Sequence, residues 1–289
     1  MSARSSTHGT EKPGPSPDAR HDILPALLAK PHVLVMGVLN VTPDSFSDGG
    51  EFLDPAAALG QAERLIADGA DLLDIGAEST RPYGATPISA DEEMARLAPI
   101  LPAIVRLGVP VSIDTMKVEV AAWALDQGAA ILNDVWGLHR DPAMAKLATR
   151  HGVPVVVMHN RDKADPTIDI MQDIAAFFER SFAVADKAGL SRDSLVLDPG
   201  IGFGKTPEQS MIALARLGEL SRFERPVLVG ASRKRFIASV SPSEPRQRIG
   251  GSLAAHLLAV QNGARIIRAH DVFETVQALR VTAAIGDKR

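Results

Sequence analysis

Residues 32–76, "HVLVMGVLNVTPDSFSDGGEFLDPAAALGQAERLIADGADLLDIG", hold two short apolar runs separated by a polar loop and a helical pattern. The runs at 32–39 and 70–76 are apolar on both faces, which favours parallel strands that are covered on both sides. The helical pattern between them ends at Gly69, a typical stop signal. Its apolar positions are Leu59, Ala62, Leu65 and Ile66. This stretch therefore predicts a strand–helix–strand unit.

The same alternation continues along the chain. Six further apolar runs lie at 109–114, 129–134, 153–159, 194–200, 225–230 and 264–270. Helical patterns separate them, among them one that opens at Ser89 with Glu92 placed for a capping box. Eight such units predict a single (β/α)8 TIM barrel, which usually takes about 250 residues. An open doubly wound sheet is the alternative, although no Gly-rich dinucleotide turn follows the first strand.

Composition narrows the possible functions. The chain has 289 residues, 31 basic and 35 acidic side chains and no cysteine. A net charge of −4 gives no electrostatic case for a nucleic acid or membrane partner, and thiolate chemistry is excluded. Residues 1–25 are polar and rich in Ser, Pro and Gly, which predicts a disordered tail before a barrel domain at 26–289. A cytoplasmic location is the simplest expectation.

Polar side chains cluster at the carboxyl ends of the predicted strands. They are Asn40, Asp74, Asp114, Asn133, His159, Asp198, Ser232 and Arg268. The carboxyl ends of barrel strands meet at one mouth, where active sites form. Each residue taken singly is equally well explained as a helix N-cap or a turn former, Thr115 and Asp134 included. Their convergence favours a pocket for a polar molecule.

The residue types in that pocket indicate a flat heterocycle. The carboxylates of Asp114 and Asp198 each accept two parallel N–H donors, the amide of Asn133 donates and accepts, and Lys234 donates to a carbonyl or ring nitrogen. This pattern suits an amidine-like ring better than a sugar.

Three further motifs bear on anion binding. "DPGIGFGKT", residues 198–206, imitates nucleotide-binding loops, but Pro199 and Lys205 break both patterns, so its glycines are interpreted as room for a ligand. "GASRKRF", residues 230–236, sets three cations at the start of a short helix, which indicates a nearby anion, a solvated basic turn being the alternative. In "RIIRAHD", Arg268 has no acidic partner in sequence, which favours a phosphate or carboxylate ligand, with His270 as a second contact and Asp271 as a helix cap.

Two long polar loops, 40–50 and 78–87, follow neighbouring strands of the predicted barrel. Connections between strand and helix usually need only about 2–6 residues, so these loops are interpreted as lids over the mouth. His159 has no second ligand at metal-binding spacing and receives no metal role.

These motifs together resemble dihydropteroate synthase over roughly residues 32–285. The matching segments are "MGVLNVTPDSFSDGG", "ESTRP", "SIDT", "ND", "LDPGIGFGK", "GASRK" and "RAHD". The resemblance implies condensation of 6-hydroxymethyl-7,8-dihydropterin pyrophosphate with p-aminobenzoate, giving 7,8-dihydropteroate and pyrophosphate. It also implies a homodimer, Mg²⁺ as cofactor and sensitivity to sulfonamides.

The resemblance also implies roles for individual residues. The pterin would be held by Asp114, Asn133, Asp198 and Lys234. Pyrophosphate would be held by Thr80, Arg268 and His270, with Asn40 as the ligand to Mg²⁺. The p-aminobenzoate site would be shaped by Phe46, Thr80, Pro82 and Ser232. Asp44 would lie near the developing positive charge, and the catalytic group would be Asp44, Lys234 and Arg268.

One residue departs from the family pattern, because Tyr83 stands between Pro82 and Gly84 where Arg-Pro-Gly is common. Its bulk lies beside the predicted p-aminobenzoate site, and a solvent-facing position is the alternative. Two other functions compete: a pterin-dependent corrinoid methyltransferase, which would not need "SRK" or "RAHD", and a non-catalytic pterin-binding paralogue. Retention of Asn40, Asp44, Thr80 and Arg81 disfavours the paralogue.

Overall fold

The computed structural model describes residues 22–41, 54–78 and 87–288. The strands are β1 (Leu34–Asn40), β2 (Leu72–Gly76), β3 (Val111–Asp114), β4 (Ile131–Asp134), β5 (Val155–Met158), β6 (Leu195–Asp198), β7 (Leu228–Val229) and β8 (Ile266–Ala269). The helices are α1 (Ile23–Leu28), α2 (Pro55–Ala67), α3 (Ala90–Leu97), α4 (Leu101–Val105), α5 (Val118–Asp126), α6 (Ala143–His151), α7 (Ile170–Ala188), α8 (Pro207–Ala215), α9 (Arg235–Val240), α10 (Ile249–Gln261) and α11 (Val272–Gly286). Within these ranges, no helix is both long and apolar enough to cross a bilayer.

The eight strands form a barrel of parallel neighbours. The order is β6-β5-β4-β3-β2-β1-β8-β7, and the two end strands meet through a parallel bridge between Leu197 and Val227. The backbone N–H of Leu197 also donates to the carbonyl of Pro226 at 2.9 Å, which closes the ring. The predicted (β/α)8 barrel is confirmed, and the open-sheet alternative is wrong.

Strand register separates an apolar floor from a polar mouth. Side chains two residues apart point to the same face of a strand, so Ile131 and Asn133 share the inner face of β4. The inner positions at the amino ends form one apolar cluster, which comprises Leu34, Met36, Leu72, Ile131, Val156, Val196, Leu228 and Ile266. Two residues further along the strands, four of the inner positions carry polar side chains, Asp74, Asn133, Asp198 and Arg268. Register pairs Asp114 with Asn133 and Met158 with Asp198 at the mouth.

The predicted helices form with small differences. α2 begins after Asp54, whose side chain accepts the Ala56 N–H at 2.9 Å, and the chain turns at Gly69 with φ +103°. At α3 the Ser89 hydroxyl accepts the Glu92 N–H at 3.1 Å, but the Glu92 carboxylate pairs with Arg96 at 2.6 Å instead of returning to the cap. The predicted capping box is therefore only half formed.

Helix α1 covers the amino-terminal end of the barrel. Leu24 and Leu27 are both 4% exposed and join the apolar floor. Burying two leucines stabilises the fold by about 3–6 kcal/mol, which explains why the chain orders before the expected boundary at residue 26. The rest of the predicted tail, residues 1–21, lies outside the described residues.

Candidate functional site

The mouth of the barrel holds the predicted polar cluster. Asp114 and Asp198 end β3 and β6, Asn133 lies one residue before the end of β4, and each residue is only about a twentieth exposed, at 6%, 5% and 5% for Asp114, Asn133 and Asp198. Each of these polar side chains belongs to a buried apolar strand, and the packing of that strand against the core holds it in a fixed position. The structure therefore brings together the pterin-binding residues predicted from the sequence.

Asp74 joins this cluster from beneath and was not assigned a role from the sequence. Its Oδ2 accepts hydrogen bonds from Asn133 Nδ2 at 3.0 Å and from Arg268 Nε at 2.6 Å. The sequence predicts a polar side chain at this position of β2. It does not predict the partners of Asp74, which come from β4 and β8 and are remote in sequence. Asp74 fixes the amide of Asn133, because that amide must turn its NH₂ towards Asp74.

Arg268 differs from its prediction. The sequence offered it no acidic partner, yet the guanidinium bridges Asp74 and Asp114, the latter through Nη2 at 3.0 Å. The reasoning from sequence was wrong here because the partners lie 194 and 154 residues away. Among the described residues, the Nη1 group has no hydrogen-bond partner and is available to an anion.

The pKa values of two carboxylates in the cluster are raised. Burial, and then the neighbouring charge of Asp74, raise the pKa of Asp114 to about 7 despite the opposing charge of Arg268. Burial raises the pKa of Asp198 to about 6, although the Gly200 N–H donates to its Oδ1 at 2.7 Å. Within the described structure, Asp74 Oδ1 and Asp114 Oδ1 are buried without a hydrogen-bond partner. A buried acceptor without a donor is unfavourable, so a ligand with N–H groups would be bound strongly here.

Lys234 and Phe203 form another wall of the site. The Lys234 ammonium lies 4.0 Å from the centre of the Phe203 ring, a cation–π distance, and the stem of Lys234 lies 3.3 Å from a Cβ placed on Gly202. Phe203 packs with Val135 and Met158 in a small apolar cluster at the mouth. Phe203 was not singled out from the sequence, where it is one aromatic residue among glycines.

Two glycines of residues 198–206 allow close packing within the protein, whereas the sequence predicted that they leave room for a ligand. A Cβ on Gly200 would lie 1.9 Å from the carbonyl oxygen of His159, and one on Gly204 would lie 2.5 Å from that of Arg161. Both residues also have positive φ, +66° and +53°. The tight approach is therefore between two loops of the protein, and the interpretation as room for a ligand is wrong at these two positions.

His270 and Ser232 form one unit on the rim. The Ser232 hydroxyl lies 3.2 Å from the His270 backbone N–H, which donates to it, and 3.0 Å from His270 Nδ1. The hydroxyl accepts the backbone bond, and if its own proton is donated to Nδ1, the N–H of the neutral ring is on Nε2. Burial and the nearby cations Arg268, Arg233 and Lys234 lower the pKa of His270 to about 3. His270 is therefore a neutral N–H donor near neutral pH.

The side chains at two predicted helix starts bind each other, and the predicted cap role of Asp271 is wrong. The Arg233 guanidinium pairs with the carboxylate of Asp271, with Nε 2.9 Å from Oδ2, while the anion predicted near residues 230–236 stays a prediction. For the same reason Asp271 makes no side-chain cap bond to α11. Asp134, by contrast, is the turn former that the alternative interpretation described, since it accepts the N–H groups of Trp136 and Leu138 at 2.8 Å each.

Several predicted residues lie outside the described ranges. These are Asp44, Phe46, Thr80, Pro82 and Tyr83. Asn40, the predicted metal ligand, ends β1 and is half-buried, and the described residues contain no group of three or more His, Cys, Asp or Glu that could hold a metal ion. A single amide oxygen suits Mg²⁺, which commonly takes most of its ligands from substrate phosphates and water. The donor set at Asn40 therefore fits a metal that arrives with its substrate.

Comparison with known proteins agrees with this geometry. The family model for pterin binding enzymes matches residues 36–270. The dihydropteroate synthase of Bacillus subtilis is 44% identical over 264 residues, covering 91% of this chain and 92% of its own. The Clostridium difficile dihydropteroate synthase, solved in the presence of pteroic acid, superposes with a TM-score of 0.85 at 42% identity, over 88% of this chain and 97% of that one.

A second solved structure matches over a similar range. The Xanthomonas albilineans dihydropteroate synthase, solved with 4-aminobenzoic acid, superposes with a TM-score of 0.84 at 44% identity, over 90% of this chain and 94% of that one. The fold and the extent of these matches agree. The chain belongs to the pterin binding enzyme family.

Proposed function

We propose that this chain is a dihydropteroate synthase that joins 6-hydroxymethyl-7,8-dihydropterin pyrophosphate to p-aminobenzoate. The observation that carries the proposal is the arrangement at the mouth, where buried acceptors without donors lie next to a cationic rim. The acceptors are those of Asp74 and Asp114. The rim is formed by the Arg268 guanidinium, which carries the charge, and by the neutral imidazole of His270, which supplies an N–H donor. One molecule with an N–H-rich ring and an anionic tail satisfies both parts.

The ring of the pterin is complementary to the inner cluster. Asp114 accepts from the amino group and a ring N–H in this proposal, and Asp198 accepts from N–H groups on the other edge. Asn133, whose NH₂ faces Asp74, offers its carbonyl oxygen to a further donor. Lys234 donates to the ring carbonyl or a ring nitrogen from above Phe203. Charge-assisted hydrogen bonds of this kind contribute about 1.5–3 kcal/mol each.

The rim acts on the leaving group. The open Nη1 of Arg268 and the Nε2–H of His270 donate to pyrophosphate oxygens, which stabilises negative charge as the C–O bond breaks. Mg²⁺, held with the help of Asn40, would neutralise further charge on the same group. The neutral arylamine of p-aminobenzoate then forms the new C–N bond and loses a proton, so no strong base is needed.

The p-aminobenzoate site is proposed on Phe46, Thr80, Pro82 and Ser232, with Thr80 also near the pyrophosphate. Of these, Ser232 is described, and its hydroxyl is engaged with His270, which links the two substrate sites. Asp44 is proposed to stabilise positive charge at the exocyclic methylene of the pterin. Sulfonamides, as analogues of p-aminobenzoate, are expected to compete at this site.

A homodimer and a cytoplasmic location complete the proposal. Large apolar side chains remain exposed on the neighbouring helices α10 and α11, among them Phe273 at 55% and Ile285 at 59%. Exposed apolar residues concentrated in one region are typical of subunit interfaces. The lack of cysteine is compatible with a reducing compartment.

Release of pyrophosphate tests the function. Purified protein, the pterin pyrophosphate and Mg²⁺ should release pyrophosphate and form dihydropteroate only when p-aminobenzoate is added. Asp114→Asn should reduce kcat/KM by about a hundredfold, since it removes a charged acceptor. Asp71→Asn is the matched control, because Asp71 is a buried carboxylate that binds Lys30 and His32 near the start of β1, away from the mouth.

Other outcomes identify the competing functions. Pterin binding without any product would indicate the non-catalytic paralogue. Methyl transfer from a methylated pterin to a corrinoid protein, without pyrophosphate release, would indicate the methyltransferase.

A further inference from the structure

A chain of polar side chains, two of them buried and one partly exposed, lies beside the pterin site and has no role in the chemistry proposed above. The side chains are Lys205, His159 and Asp173. Lys205 is 6% exposed and His159 is fully buried. Lys205 Nζ lies 2.6 Å from His159 Nδ1, and His159 Nε2 lies 2.9 Å from Asp173 Oδ2. The same carboxylate oxygen accepts from Arg161 Nη1 at 2.8 Å.

The chemistry of these groups fixes the direction of each hydrogen bond. The Asp173 carboxylate only accepts, so the proton of the neutral imidazole lies on Nε2 and donates to Asp173, and His159 Nδ1 accepts from Lys205 Nζ. Burial and the Lys205 charge lower the pKa of His159 to about 4, which agrees with a neutral ring. The three side chains therefore have one mutually consistent arrangement.

This arrangement holds the turn at residues 198–204. Lys205 Nζ also donates to the carbonyl of Phe203 at 3.1 Å. Phe203 supports Lys234, and Asp198 at the start of the turn accepts the Gly200 N–H. Because Gly200 packs closely against the His159 carbonyl, the turn cannot shift without moving the end of β5.

Stability alone is a weak reason for a lysine at this position. Taking an ammonium group out of water is unfavourable, and a well-packed apolar side chain is often as stable as a buried ion pair. Lys205 is retained in a buried environment that lowers its pKa to about 7. A specific hydrogen-bonding task at the turn explains the lysine better than the stability of the fold does.

We infer that Lys205, which is held in place by His159 and Asp173, is a positioning residue for the pterin subsite, because it fixes the turn that carries Asp198 and Phe203. The inference rests on the proposed function for the identity of the ligand. It concerns the pterin half of the site and not the p-aminobenzoate half.

Binding and kinetics separate this role from a purely structural one. For Lys205→Met, calorimetry with 6-hydroxymethylpterin, which lacks the pyrophosphate, should show a Kd raised at least tenfold. The KM for the pterin substrate should rise with it, while the KM for p-aminobenzoate stays within twofold. Lys205→Arg, which keeps a donor at this position, should recover part of the affinity.

Asp173→Asn supplies a milder test should Lys205→Met fail to fold, since the Asp173 side chain is 25% exposed. It weakens the orientation of His159 and should raise the pterin Kd about threefold. Ser181→Ala is the control: Ser181 is fully buried in the same helix and donates to the Gly137 carbonyl, which lies outside the turn, so its pterin Kd should be unchanged.

Two results would overturn the inference. One is a pterin Kd within twofold of the wild type in Asp173→Asn and in every folded Lys205 variant. The other is a KM for p-aminobenzoate that rises in parallel with that for the pterin. Failure of the proposed function would be recognised separately, as wild-type protein that binds the pterin but releases no pyrophosphate.

Discussion

Replacing Asp74 with asparagine should change how pterin binding depends on pH. The charge of Asp74 is the main electrostatic cause, after burial, of the raised pKa of Asp114. Asp114 must be ionised to accept two N–H groups from the ring. In the wild type, with a pKa of about 7, roughly nine-tenths of Asp114 is ionised at pH 8 and one-tenth at pH 6.

The size of the effect follows from these values. Titration of Asp114 alone weakens wild-type binding about tenfold between pH 8 and pH 6, and Asp198, with a pKa of about 6, adds about a factor of two. Asp74 and Asp114 bind the same guanidinium, and for an assumed separation of roughly 5 Å with an effective dielectric constant of about 20 the like charge contributes about 3 kcal/mol, or about two pKa units. Asp74→Asn should therefore move the Asp114 midpoint to about pH 5 and reduce the change between pH 8 and pH 6 to about twofold.

Calorimetric titration with 6-hydroxymethylpterin at half-unit steps of pH measures this change in pterin affinity. The ligand has no pyrophosphate, so protonation of a pyrophosphate bound at the rim does not contribute to the pH dependence. Asp114→Asn is the comparison: its affinity should be low at every pH, with little change between pH 8 and pH 6. Circular dichroism at each pH confirms that the variants are folded. A wild-type pH profile retained by Asp74→Asn would refute the coupling between the two carboxylates.

Three further predictions concern stability, measured by urea unfolding. Gly200→Ala should cost at least about 3 kcal/mol more than Gly263→Ala, because both have positive φ but only the first places a Cβ against a backbone atom, the His159 carbonyl oxygen; equal losses would contradict this. His256 is buried and its pKa is lowered to about 4, so between about pH 6.5 and pH 4 it binds a proton only in the unfolded state. The free energy of unfolding should therefore fall as the pH falls through this range. His256→Gln should reduce the slope of the free energy of unfolding against pH by up to about 1.4 kcal/mol per pH unit. Arg233→Met should lower stability by about 1 kcal/mol through loss of its half-buried ion pair with Asp271, and an unchanged free energy of unfolding would contradict this.

The barrel and the polar residues at the strand ends were predictable from the sequence. The repeated apolar runs indicate parallel strands. Because the carboxyl ends of parallel strands meet, the polar residues that end these runs are expected to lie together. Asp114, Asn133 and Asp198 were identified for this reason, and Asp134 was correctly left with a turn-forming alternative.

Pairings across the barrel were not available from the sequence. Arg268 was assigned without an acidic partner because Asp74 and Asp114 approach it only after the barrel closes. Asp271 was assigned as a cap, but the ion pair with Arg233 is a contact between consecutive βα units. Local rules describe what a residue does for its own helix, and they do not show competition from a partner elsewhere in the chain.

The pairing of the first strand with the last strand has a consequence for biosynthesis. Arg265, at the start of β8, donates to the carbonyls of Leu28, Lys30 and His32, and β1 pairs with β8 along one edge. The first strand to leave the ribosome therefore keeps an unpaired edge until nearly the whole chain has been made. A nascent chain that stalls before residue 265 exposes that edge together with Leu24 and Leu27, which makes incomplete chains clients for chaperones and proteases.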